Sequence, residues 1–330
     1  MIPASHLLTG YLAGRAIRLG SDAAPPKRWW LDPLVIMAVG AALVPDLDVT
    51  PDLAGFPASN WHRGATHSLA GIPVQALLMT IGARVAWKAV FAEVLSWGPL
   101  LLAALTGIAT HVLWDYLNPW GVELLWPLNE QQYLANLIHE GDVFVLAALA
   151  AGSALVAMRR YRAGFAIPVV VILAYTLFQF QWSLTIKEQA ARELSSDLIR
   201  VYPNAQIDCP WLVLARFPAQ IEGPHIEAHC VSVPLSGERR LVLREPLLDD
   251  PRIAASADLK EVRNFMAERP FRFAELRAQP DGSVTVIWRD LREAVFQAQA
   301  EQPPGYYVYF SPGGRLTGHE QSWFLPWWFW

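Results

Sequence analysis

The sequence predicts an α-helical polytopic membrane domain of four to six membrane helices, followed by a small α+β or mainly β soluble domain. Three observations carry this expectation. The 330 residues are 53% hydrophobic and only 17% charged, and the mean hydropathy of +0.24 exceeds that of an ordinary soluble enzyme. Charge is unevenly spread, with 21 charged residues in the first 184 positions and 35 in the remaining 146. The front part is also built from long uncharged runs separated by short polar breaks. Residues 1–186 are therefore expected to form a transmembrane metal-binding domain and residues 187–330 an extramembrane C-terminal domain.

The runs can be taken in order. Met1 to Gly14 carries no charge, and Asp32 to Asp46 encloses 13 uncharged residues. Both are short and could cross only if tilted or buried against neighbours; they read equally as re-entrant or core helices. Arg63 to Arg84 encloses 20 residues, Glu93 to Asp115 21, Asp142 to Arg159 16 and Arg162 to Lys187 24. About 20 apolar residues cross a bilayer as a helix, so these four are predicted spans. No basic region precedes the first apolar segment and no small-residue cleavage site follows it, so this segment is expected to be kept rather than removed as a signal.

Threading the spans antiparallel brings Asp46, Asp48, His67, His111 and Asp115 to one side of the membrane, with His139, Glu140 and Asp142 at the mouth of the next helix. Arg15, Arg18, Lys27, Arg28, Arg84, Lys88, Arg159, Arg160 and Arg162 fall on the other. By the positive-inside rule the basic side is cytoplasmic. The expectation is a multi-pass inner membrane protein whose His/Asp site and C-terminal domain face the periplasm or exterior.

Ionisable groups at the ends of such apolar runs call for an explanation, since they usually pair, bind an ion or do chemistry. His111 and Asp115 are four apart and share one helical face. His62 and His67 are five apart and do not stack on a helix, so the first is expected in a loop and the second near a helix start. Singly, each histidine reads as an interfacial capping group, and Asp46 and Asp48 read as a polar turn after Pro45. Together, three chain segments deliver carboxylates and imidazoles to one interface, where like charges repel unless a cation or protons neutralise them. Imidazole and carboxylate without thiolate suit zinc, manganese or iron, as one ion or two, and such sites typically hydrolyse phosphoesters or amides. Arg63 could grip a substrate phosphate or carboxylate bidentately, or pair with Asp46, Asp48 or Asp52. Glu140 is a candidate general acid or base, although His139-Glu140-Gly141-Asp142 reads more simply as the negatively charged start of a helix. Asn118, Pro119 and Gly121 shape the turn that ends the third span.

The ordered set of His6 and Gly10, Pro45-Asp46-Leu47-Asp48, His62-Arg63-Gly64-x-Thr66-His67-Ser68, and His111-x-x-x-Asp115-x-x-Asn118-Pro119-x-Gly121 followed by Trp126-Pro127 resembles the membrane-bound metal-dependent hydrolases of bacteria and archaea. The resemblance covers roughly residues 1–145 and implies a metal-assisted hydrolase. It makes His6, Asp46, Asp48, His62, His67, His111 and Asp115 the candidate ligands or near neighbours of the metal.

In the C-terminal half, alternating apolar runs at Trp211–Phe217, His225–Val231, Ser283–Trp288 and Tyr306–Phe310 predict strands, with a helix around Leu259–Glu268. His225 and His229 would share a strand face about 13 Å apart, too far for one ion. Cys209 and Cys230 could form a disulfide in an oxidising compartment, although buried thiols are the more ordinary reading. The aromatic close, Trp323 to Trp330, suits the headgroup layer and would fold the domain back onto the membrane.

No glycine-rich phosphate loop, nucleophile elbow or CxxC pair occurs, and a net charge of −4 gives no reason to expect nucleic acid or a nucleotide. The function that follows is metal-dependent hydrolysis of an ester or phosphoester at the membrane interface, in a lipid or lipid-linked substrate drawn from the bilayer. The alternative is a non-enzymatic membrane protein with a structural metal or a metal-ion carrier. A carrier should place its ionisable groups along the spans, whereas here they crowd at the ends.

Overall fold

A computed structural model describes residues 3–21, 32–49, 62–91, 95–194, 196, 198–206, 209–217, 225–231, 239–244, 250–267, 269, 271–294 and 305–322. The chain divides into two compact units, Met1–Thr185 with Tyr202–Pro210, and Ile186–Val201 with Trp211–Trp330.

The first unit is helical. Its elements are α1 (Pro3–Leu19), α2 (Pro33–Ala41), α3 (Gly71–Phe91), α4 (Trp97–Leu117), α5 (Val143–Ala157) and the long α6 (Tyr161–Glu193), with 3₁₀ turns at Val44–Val49 and Ala65–His67. Local chemistry fixes several ends. Asp32 caps α2 by accepting the Leu34 amide at 3.1 Å, Pro33 opens that helix, and Arg18 of α1 neutralises the cap at 2.8 Å. Asp142 caps α5 through the Phe144 and Val145 amides at 2.9 and 3.1 Å, and the Tyr175 hydroxyl of α6 donates to its other oxygen at 2.6 Å. Asn118 closes α4 just ahead of Pro119, its side-chain oxygen accepting the Trp120 amide at 2.9 Å.

Two apolar clusters hold the helices together. In one, Leu34, Met37, Ala38 and Ala41 of α2 meet Leu100, Ala103, Ala104, Ile108 and Val112 of α4. In the other, Leu12 of α1 and Trp114 of α4 pack with Val145, Leu149 and Val156 of α5. The nine-residue α2 lies so close to both neighbours that side chains there would not fit. A Cβ on Gly10 of α1 would stand 2.8 Å from the Ala38 carbonyl oxygen, and one on Gly107 of α4 2.5 Å from the same atom.

Among the described residues, two helices are long and apolar enough to cross a membrane, α4 and α6, where the sequence predicted four to six. The difference has a physical cause. The uncharged run after Arg63 begins with Gly64 to Ala70, which form the 3₁₀ turn and its exit, so α3 starts only at Gly71 and takes in Arg84 and Lys88. The run after Asp142 yields a helix of 15 residues, and α1 and α2 have 17 and nine. An interval between charges measures apolarity, whereas crossing also needs unbroken helix of about 20 residues. Outward-facing Val74, Leu78, Leu102, Val170, Leu173 and Leu177 give α3, α4 and α6 apolar outer faces.

The second region is β-rich: two four-stranded sheets in the orders β1-β2-β3-β4 and β5-β6-β7-β8. Their strands are β1 (Leu198–Gln206), β2 (Cys209–Phe217), β3 (His225–Val231), β4 (Arg239–Arg244), β5 (Arg272–Ala278), β6 (Val284–Asp290), β7 (Gly305–Phe310) and β8 (Leu316–Ser322), with short helices α7 (Pro251–Ala257), α8 (Lys260–Ala267) and α9 (Leu291–Ala294). The four predicted strands lie in β2, β3, β6 and β7, and the predicted helix is α8. Ile253 of α7 and Val262 and Phe265 of α8 cover Val286, Trp288, Val308 and Phe310 of the second sheet. Cys230 stands opposite Leu212 in the β2–β3 ladder. The side chains of Cys209 and Cys230 and the aromatic close at 323–330 lie outside the described residues.

Gly107→Val should lower the melting temperature of the detergent-purified protein, with a cost on the order of 1–3 kcal/mol for forcing a side chain into a filled contact. Gly82→Ala, with nothing within 4 Å of its Cβ position, should leave the melt unchanged.

Candidate metal centre

The site is assembled from four separate pieces of the first unit. The 3₁₀ turn after α2 supplies Asp46 and Asp48, the turn before α3 supplies His62 and His67, α4 supplies His111 and Asp115, and α1 supplies His6. One ligand atom from each of Asp46, His67, His111 and Asp115 lies within 4.8 Å of every other. The two Nε2 atoms of His67 and His111 are 3.1 Å apart. Asp46 Oδ1 lies 3.5 Å from His67 Nε2 and 3.3 Å from His111 Nε2, and Asp115 Oδ2 lies 3.3 and 3.6 Å from the same two atoms. A tetrahedron with metal–ligand bonds of about 2.0–2.1 Å has edges of roughly 3.3–3.4 Å. Five edges of this group fall around that length.

The surrounding hydrogen bonds decide which way the imidazoles face. His111 Nδ1 is 2.7 Å from the Ala42 carbonyl oxygen, which can only accept, so this nitrogen carries the proton and Nε2 of the neutral ring carries the lone pair. Thr66 reaches the same result for His67 in two steps. Its hydroxyl spends its one proton on Asp48 Oδ2 at 2.6 Å, and therefore accepts from His67 Nδ1 at 3.0 Å. Both neutral rings thus aim lone pairs into a space already shared by two carboxylate oxygens. Such a group requires a cation or a proton at its centre.

Four further residues hold this arrangement. Asp48 accepts from His62 Nδ1 at 2.7 Å and from the Arg63 amide at 3.2 Å, in addition to Thr66. Arg63, whose own φ is +68°, sends one arm to Asn118 Oδ1 at 3.0 Å and stands 3.6 Å from Asp115 Oδ2. Asn118 donates to Asp115 Oδ1 at 3.2 Å. His6 is stacked on His111 with ring centroids 3.9 Å apart, and its Nε2 is 3.8 Å from Asp115 Oδ1. Among the described residues, neither ring nitrogen of this buried histidine has a hydrogen-bond partner.

Burial alone would depress the His67 imidazole, but Asp115, Asp46 and Asp48 around it carry its pKa up to about 10. Asp48 moves the other way. Burial opposes its ionisation, yet the bond from His62 and the nearby His67 imidazole hold it well below the usual carboxylate range. In the absence of an ion the centre therefore keeps a proton on His67 through neutral pH.

Of the residues singled out in the sequence, Asp46, His67, His111 and Asp115 form the central group, and His6 adjoins it through His111 and Asp115. Asp48 and His62 stand one bond further out. Arg63 reaches Asp115 and Asn118 rather than Asp46 or Asp48. Glu140 has no hydrogen bond or ion pair with this group among the described residues, whereas its neighbour Asp142 caps α5. Sequence reasoning did not assign the bond-directing parts played by Thr66 and the Ala42 carbonyl. Thr66 sits inside the His62–Ser68 string, which was the available signal; a backbone carbonyl leaves none. An unpartnered buried imidazole beside a cage of lone pairs and carboxylates fits a divalent ion.

The fold and site define a membrane protein with a buried His/Asp centre of metal-binding type. A family model described as YdjM inner membrane protein matches residues 1–185, more than half of the chain and all of this centre. The chain belongs to that family, in keeping with the resemblance to membrane-bound metal-dependent hydrolases. No curated protein and no solved structure matches it.

Metal analysis of purified variants tests the centre. His67→Ala and His111→Ala should each lose bound zinc or manganese, while His225→Ala in the second region keeps it. Because an ion must displace the proton that His67 holds up to about 10, affinity should rise with pH across the neutral range, by about tenfold per unit for one proton released. Titration calorimetry in buffers of different ionisation enthalpy reads that proton directly.

Proposed function

We propose that the chain is a metal-dependent hydrolase of the inner membrane, acting on an ester or phosphoester bond in a lipid or lipid-linked substrate. The observation that supports it most is the convergence of two imidazole lone pairs and two carboxylates within 4.8 Å. Asp46, His67, His111 and Asp115 are the ligands in this reading, with His6 beside them as a further donor. Zinc is the first choice for such a donor set, with manganese and iron next. When bound, the ion supplies Lewis acidity toward the substrate oxygen and lowers the pKa of a water molecule.

The chain's own residues do the rest. Ala42 and Thr66 hold the two imidazoles in the tautomer that keeps Nε2 bare. Asp48 holds Thr66 and His62. Arg63, with its arms committed to Asn118 and Asp115, acts as a positioning residue for the Asp115 carboxylate rather than as a clamp for substrate. Asp46 is the one member of the group with a substantially exposed side chain, 32% against 1% or less for the other three. Substrate and water therefore approach from the Asp46 side. That one-sided opening favours a catalytic centre over a structural metal, which would be enclosed on all sides.

The assay uses the protein in proteoliposomes with zinc or manganese, against a total lipid extract and a soluble short-chain ester. Product should appear from the lipid extract, vanish with chelator and be lost in His67→Ala. Asp48→Asn keeps all four ligand atoms and should cost roughly 10–100-fold in activity or metal affinity. A metal-loaded protein inert toward both substrates would overturn the hydrolase reading and leave a structural metal in its place.

A further inference from the structure

Between α4 and α5 the chain makes a loop that is tied to the metal centre and turns an apolar tip outward. The ties are backbone hydrogen bonds. The Glu123 amide donates to the Arg63 carbonyl at 2.9 Å, the Leu69 amide donates to the Leu124 carbonyl at 2.9 Å, and Val122 bridges Tyr133. The tip between these ties is a tight turn in which the Leu128 amide bonds the Leu125 carbonyl at 2.8 Å. Leu125 and Trp126 are exposed, and Leu128 is 91% exposed. Leu69 on the tied segment and Leu47 between Asp46 and Asp48 are exposed as well. A water-facing loop has no reason to display three such side chains, and with Leu69 and Leu47 on the neighbouring segments they are of the kind that marks an interaction surface.

The helices indicate what covers it. At the far end of the unit, the Arg84 guanidinium lies over the Trp97 ring at 4.5 Å and Arg15 reaches the Tyr161 hydroxyl at 3.4 Å, so the last turns of α3 and α1 adjoin the first turns of α4 and α6 in a basic layer. From that layer the centre is 12 residues away along α1, Arg18 to His6, and 14 along α4, Trp97 to His111. At 1.5 Å per residue these are roughly 18 and 21 Å. The hydrocarbon of a bilayer is about 30 Å thick. With the arginines at one face, the centre lies about 10 Å short of the other. The Leu137 and Ile138 amides bond the Leu117 carbonyl, six residues and roughly 9 Å beyond His111 along α4, and α5 starts just after. Helix α6 does not stop there. Tyr175, which meets Asp142, is followed within the first unit by 10 more residues to Thr185, roughly 15 Å of helix.

We propose that the tip Leu125–Leu128, flanked by Leu69 and Leu47, is seated among the acyl chains of the bilayer at the mouth of the His/Asp centre, so that a bilayer-resident lipid reaches the centre sideways. The apolar exterior of α3 and α4 runs up to this rim through exposed Leu78 and Leu113, which makes the rim a continuation of the lipid-facing surface. Trp126 and the polar residues after Leu128, Asn129 to Gln132, suit the border between chains and headgroups. The identity of what enters rests on the hydrolase reading; the seating of the rim does not.

Spin labels in proteoliposomes test it without catalysis. With Cys209 and Cys230 replaced by serine, Leu128→Cys is labelled and its collision rates with oxygen, which concentrates in lipid, and with a nickel chelate, which stays in water, are compared. Leu173→Cys on α6 is the lipid reference and Asp281→Cys, in an exposed turn of the second region, the water reference. The oxygen-to-nickel ratio at position 128 should shift to that of position 173. A ratio like that of position 281 overturns the proposal, and so does shielding from both reagents, which would mean a protein partner on the tip. Leu125→Cys gives the same reading if the first variant does not fold. A lipid-like ratio in a protein that cleaves nothing would leave this inference standing and remove only the hydrolase reading.

Discussion

His111 donates from Nδ1 to the carbonyl oxygen of Ala42 across 2.7 Å, and the chemistry of the first unit depends on that contact. It exists because α2 ends at Ala41, leaving the next carbonyl outside the helix and without a helical partner. A buried imidazole that gives its proton there must present a bare nitrogen at the opposite edge of the ring. Thr66 and Asp48 impose the same outcome on His67. Once both rings are turned inward beside Asp46 and Asp115, the space between them tolerates only positive charge.

Positions of the donors follow from how helices stop. Asp46 and Asp48 are available because α2 gives way to a 3₁₀ turn after Pro45, and His67 because seven residues of the next uncharged run stay out of α3. His111 and Asp115 are one turn apart near the end of α4, where Asn118 both terminates the helix and steadies Asp115. The shortness of α1, α2 and α5 and the compactness of the centre are thus two sides of one arrangement. Polar backbone at helix ends is tolerated in an apolar medium where protein groups satisfy it, as the aspartate caps and the Ala42 carbonyl do here.

Much of this was legible in the sequence. The i, i+4 spacing of His111 and Asp115 places both on one face without any structure, and alternation of apolar residues located β2, β3, β6 and β7. The ordered motifs pointed to the residues that meet, including His6, which composition alone would have left as a helix residue. Three things were not legible. Helix length could not be read from gaps between charges, because Gly64 to Ala70 are uncharged and still not helical. The Arg63 guanidinium stands by Asp115 rather than Asp46 or Asp48, since pairing across 52 residues depends on how α4 packs, and Asp52 lies outside the described residues. Strands β1, β4, β5 and β8 and helix α7 carry too little apolar periodicity to stand out.

The slot in which α2 lies has a consequence away from the centre. With Gly10 on one wall and Gly107 on the other, both against the Ala38 carbonyl, the short helix has no room to slide or roll. Ala42 is one turn further on, so the place of its carbonyl is dictated by the width of a groove whose walls, α1 and α4, also carry His6, His111 and Asp115. A methyl group added to either wall would act as a lever, displacing the Ala42 carbonyl and so turning the His111 ring away from the shared space.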